Sequence, residues 1–95
     1  MKKQIKNIHI EARRWFQKSY GNTYHSVRVY VNDEILENRF TYGYGDHFFH
    51  TAGELLINAG YEIPDNNPYW LNSLTLRETL HGTYYVMDVD RKKDL

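Results

Sequence analysis

Apolar and polar residues alternate with period two from Ile8 onward, where Ile8, Ile10 and Ala12 interleave with His9, Glu11 and Arg13. That spacing predicts a strand with one buried face, continuing through Trp15 and Phe16 to Tyr20. Gly21-Asn22 follows, a pair able to take the positive φ of a tight two-residue hairpin turn. A second strand over 23–31 then carries Val27, Val29 and Val31 on one face, with Tyr24, Ser26, Arg28 and Tyr30 on the other. After the turn signal Asn32-Asp33-Glu34, a third strand over about 36–44 places Phe40, Tyr42 and Tyr44 together.

The pattern then changes to helical spacing. Phe48, Ala52, Leu55, Leu56 and Ala59 recur at intervals of three and four, Asp46 stands at the N-cap position, and Gly60 follows the last turn. A helix over 47–59 results, with an apolar stripe for the three-stranded meander to receive. Pro64, Pro68 and Asp65-Asn66-Asn67 mark 61–72 as a loop, with Tyr69 and Trp70 pinning it to the body. Residues 73–81 read as a short second helix closed by Gly82, residues 84–89 as a final strand, and 91–95 as a charged tail that frays. The fold class is therefore α+β: an antiparallel three-stranded meander packed by one amphipathic helix, then a last strand, in the order β-β-β-α-β.

At 95 residues the chain suits a single domain, 1–95, because a core this small cannot be divided and still offset the entropy of ordering the backbone. Its modest burial also makes a homodimer a reasonable partner state. The absence of cysteine excludes disulfides, thiolate zinc sites and a cysteine nucleophile, and suits a reducing compartment. Apolar runs are no longer than Leu55-Leu56-Ile57, so neither a membrane span nor a signal-peptide core can be drawn, and the expected location is cytoplasmic.

Twelve basic residues balance twelve acidic ones, but unevenly. Residues 1–30 hold seven Lys and Arg against Glu11 alone, whereas 31–90 hold ten acids against Arg39 and Arg77. A split of that kind points to a polyanion-binding half, or to two halves that neutralise each other. Nine tyrosines among fifteen aromatic residues exceed what so small a core can hide, so some face solvent or a partner.

With a two-residue loop at Gly21-Asn22, Tyr20 pairs with Thr23 and Arg13 with Tyr30, which gathers Arg13, Trp15, Gln17, Tyr24, Arg28 and Tyr30 on one face. Arginine beside aromatic rings is the chemistry of single-stranded nucleic acid recognition, rings stacking on bases and guanidinium groups meeting phosphates. The same residues also serve as a cross-strand ladder that only stabilises the sheet. This register sends Arg14 inward beside Val29, so a bulge near 13–14 or a different alternation is required.

His47 and His50 lie one helical turn apart and follow Asp46, a spacing that could bring two imidazoles and a carboxylate to one metal, although a solvated helix face accounts for it more simply. Tyr42-Gly43-Tyr44-Gly45-Asp46 lacks phosphate-loop spacing and reads as turn chemistry. No nucleophile sits beside a usable base, since His25 and Ser26 point to opposite faces of their strand. The chain therefore reads as a non-enzymatic binding protein with no implied cofactor.

Two segments, Arg14-Trp15-Phe16 leading into Tyr20-Gly21-Asn22-Thr23-Tyr24-His25-Ser26-Val27, and Tyr42-Gly43-Tyr44-Gly45-Asp46-His47, together with the ending Asp88 to Leu95, resemble small uncharacterised proteins of bacteriophages and prophages. The resemblance covers about half the chain and brings no activity with it. It implies a phage accessory protein. Three roles are in contention: binding nucleic acid or a nucleotide through the N-terminal hairpin, inhibiting a host defence enzyme through the acidic region from Asp33 to Asp65, and holding a metal through His47 and His50.

Overall fold

The computed structural model describes residues 2–95. Strands β1 (Ile8–Gln17), β2 (Asn22–Val31) and β3 (Glu34–Tyr42) form the expected antiparallel meander, followed by helix α1 (His47–Asn58), helix α2 (Ser73–Glu78) and strand β4 (Thr83–Val89). The sheet order is β3-β2-β1-β4, with β4 running parallel to β1 and closing the edge that the meander leaves open. Among the described residues no helix is long and apolar enough to cross a membrane.

The first hairpin departs from the expected turn. Gln17 pairs with Asn22, so the loop is the four residues Lys18 to Gly21, and Arg13 pairs with Ser26 instead of Tyr30. Gly21 does adopt positive φ, at 69°, but as the last residue of a loop whose Gly21 N–H donates to the Gln17 carbonyl at 2.8 Å. Four-residue loops built on such a turn are a standard hairpin solution. The pairing has moved by four positions, an even number, and strand faces repeat every two, so every side chain keeps the face expected of it.

The buried face carries Ile8, Ile10 and Ala12 of β1 with Val27, Val29 and Val31 of β2. Helix α1 covers it with Phe48, Phe49, Ala52 and Leu56, and Tyr61, Ile63, Leu71 and Leu76 fill the remainder from the connection and α2. Each such large side chain contributes about 1.5–3 kcal/mol on burial. Asp46 precedes α1 but makes no side-chain capping bond, its φ and ψ of −93° and 14° lying outside the extended geometry from which a cap side chain reaches back. Asn72 caps α2 instead, in a reciprocal box with Thr75.

At the opposite end of the sheet, Asn32 takes φ 51° in the β2–β3 turn, and its side chain accepts from the Lys6 and Asn7 amides while donating to the Gln4 carbonyl. Glu34 joins this corner, accepting from Lys3 Nζ at 2.6 Å and from the Tyr61 hydroxyl at 2.5 Å. The N-terminal residues are thereby tied across the molecule to the end of α1.

Candidate nucleic-acid interface

The second face of the sheet has no helical layer over it. None of its outward side chains is buried, from His9 through Trp15 on β1, Tyr24 through Tyr30 on β2, Ile35 through Tyr42 on β3, or Thr83 through Val89 on β4. Two zones divide it.

At the hairpin end the rings are ordered across three strands. Trp15 pairs with Tyr24 and stacks on it with centroids 5.9 Å apart and planes at 26°. Tyr24 stacks in turn on Phe40 at 4.6 Å and 16°, and meets Tyr42 edge-on at 5.6 Å and 72°. Phe40 is 45 % exposed and Tyr42 57 %, so the row ends in ring surface open to solvent.

A β-bulge creates this row. His25 pairs with Thr41 but Val27 with Asn38, leaving Ser26 opposed by two residues, Arg39 and Phe40. The extra residue places two sequence neighbours on the same side of the sheet and brings Phe40 over Tyr24. Asn38 stabilises the irregularity, its Oδ1 accepting from the Phe40 amide at 3.1 Å and the Thr41 hydroxyl at 2.6 Å. The bulge lies in β3, not near residues 13–14.

Toward the middle of the face lies an open polar concavity of about 330 Å³, lined by Arg13, Arg28 and Arg39 together with Glu11 and Glu37. Glu37 receives Arg28 Nη2 at 2.6 Å and Arg39 Nε at 3.0 Å, and these two hydrogen-bonded cations hold its carboxyl below the usual carboxylate range. Tyr30 donates to Glu11 at 3.4 Å, and Arg13 Nη1 donates to the backbone carbonyl of Asp94 at 2.9 Å. The guanidinium groups are thus pre-positioned by exposed partners, which an incoming anion can replace at small cost.

Of the six residues expected to form the site, Trp15 and Tyr24 belong to the ring row, Arg13 and Arg28 line the concavity, Tyr30 borders it, and Gln17 lies beyond both, opposite Asn22. Phe40, Tyr42 and Arg39 complete the face. The alternation of Phe40 with Tyr42 was legible, but assigning them to this side requires the β2–β3 register that begins at Val31 and Glu34.

Arg14 does point inward, as the alternation demands, but opposite His25 near the sheet's end instead of beside Val29. There its Nε donates to Asp88 at 2.9 Å and its Nη1 to the Gly45 carbonyl at 3.1 Å, so its charge is met.

No protein-family profile, curated protein or solved structure matches the chain.

His25, His47 and His50 gather around the start of α1. His47 and His50 have centroids 5.0 Å apart, and His25 lies 5.7 Å from His47, yet among the described residues no three His, Cys, Asp or Glu side chains are placed to share an ion. Both nitrogens of His25 are occupied, Nδ1 at 3.1 Å from the Gly43 carbonyl and Nε2 at 2.7 Å from the Thr51 hydroxyl. Gly43 is required there, since a Cβ at that position would stand 2.5 Å from the His47 ring. The His50 ring packs on Tyr69 at 4.0 Å, its Nδ1 3.2 Å from Glu54 but not aligned for a hydrogen bond. The Asp46 residue is exposed and makes no side-chain hydrogen bond to the helix end.

Proposed function

We propose that the open face of the sheet binds single-stranded nucleic acid, or a nucleotide as its minimal form, in a protein that acts by binding and not by chemistry. The row Trp15–Tyr24–Phe40 carries this reading: flat, partly exposed rings on the sheet face opposite α1 offer stacking surface to any base, irrespective of sequence. The neighbouring Arg13, Arg28 and Arg39 supply phosphate partners within one concavity. Inhibition of a host protein through the acidic region is the alternative reading, and its acids are spread over separate elements, Glu37 on β3, Glu54 on α1 and Asp65 in the connection after it. The resemblance to phage proteins extends the proposal to an accessory protein in the cytoplasm of an infected cell.

Titration with a fluorescent oligothymidylate at low salt tests this directly. Trp15→Ala and Tyr24→Ala should each cost about 1–3 kcal/mol of stacking, a loss of roughly 5- to 150-fold in affinity. Arg13→Ala and Arg28→Ala should weaken binding less and reduce the slope of log K against log salt by about 0.7 each. Absence of binding to DNA or RNA oligonucleotides at low salt would end the proposal.

A further inference from the structure

Residues 91–95, expected as a charged tail, fold back over the open face. A 3₁₀ turn, Lys92–Asp94, is closed by the Asp94 amide donating to the Arg91 carbonyl at 2.9 Å and by an Arg91–Asp94 ion pair at 3.3 Å. Three contacts fasten it. Lys92 Nζ stands 4.8 Å from the centroid of Phe40, the Asp94 carbonyl accepts from Arg13, and the half-buried Leu95 lines the arginine-bearing concavity.

Each contact occupies something a nucleotide would need. The Lys92 ammonium lies over the outer ring of the stacking row, where a base would sit. The Asp94 oxygen takes an Arg13 donor as a phosphate oxygen would. Leu95 fills part of the space beside Arg28 and Arg39.

Resting on the reading of this face as a nucleic-acid surface, we infer that segment 91–95 is a built-in competitor that must be displaced before single-stranded nucleic acid can engage Phe40 and Arg13. Apparent affinity is then reduced by the fraction of molecules whose strap is closed. The contacts are solvent-facing and individually weak, so the strap attenuates binding without abolishing it.

Two substitutions in the full chain separate a competitor from an ordinary phosphate contact. Lys92→Gln removes a cation, so a phosphate-binding Lys92 predicts weaker oligothymidylate binding, whereas a strap predicts binding tighter by about two- to fivefold. Leu95→Gly leaves charge unchanged and should also tighten binding. In the wild type, the Lys92 ε-methylene protons should show an upfield ring-current shift from Phe40 that disappears as oligonucleotide is added. Variants that bind no more tightly than wild type, or a Lys92 shift that persists at saturation, overturn the strap while leaving the stacking face intact. No binding by wild type or by either variant overturns both.

Discussion

Replacing Phe48 by alanine should lower the stability of this domain by about 3–5 kcal/mol, a large share of the roughly 5–15 kcal/mol available to a protein of this size. Phe48 is fully buried at the start of α1, packed against Phe49 with centroids 4.4 Å apart and near Tyr84 at 6.3 Å. It therefore joins the helix to β4, an element distant in sequence. Urea unfolding should show the midpoint displaced with the slope unchanged, and the melting temperature should drop by about 4–8 °C per kcal/mol. Phe48→Leu, which keeps most of the volume, should cost much less. A Phe48→Ala midpoint close to wild type would mean that α1 does not cover the sheet.

The same residue shows which parts of the fold can be read from sequence. Phe48, Ala52 and Leu56 announce the helix through spacing alone, and the valines of β2 announce the buried face, because both signals are local repeats imposed by backbone geometry. Face assignment survived an incorrect turn for the same reason. Moving Gly21 from the first position of a short loop to the last position of a longer one displaced the pairing by an even number of residues. What could not be read depends on partners remote in the chain. The parallel seat of β4 beside β1 depends on how the chain returns after α1, and no residue near Thr83 encodes its neighbour. The β3 bulge depends on Asn38 capping its own strand, which a period-two reading passes over. Segment 91–95 reads as a charged, fraying tail until Phe40 and Arg13 are placed beneath it.

His25 was legible as an inward residue of β2, but its burial was not, and the second large effect follows from that burial. The ring is 1 % exposed, and its Nδ1 donates to the Gly43 carbonyl, so Nε2 must be the acceptor for the Thr51 hydroxyl in the neutral form. Burial pushes its pKa below the ordinary imidazole value of 6.5; the bond to Gly43 opposes this and the nearby His47 reinforces it. Protonation breaks neither bond, since the Thr51 oxygen can accept as well as donate, but it charges a desolvated ring that no carboxylate contacts. The unfolded chain therefore takes up this proton first as pH falls. His25 contributes its full stability above pH 6.5, and that contribution declines as pH drops from there toward the folded-state value. Melting temperatures should fall between pH 7 and pH 5, and by less in His25→Leu, which has no ring to titrate. The leucine variant should itself lose about 2–6 kcal/mol at pH 7.5, from two buried polar groups left without partners at about 1–3 kcal/mol each. Adding Thr51→Val should restore the hydroxyl's share, because a missing donor costs less than an orphaned one. A pH profile identical in wild type and His25→Leu would show that the acid sensitivity does not arise at His25.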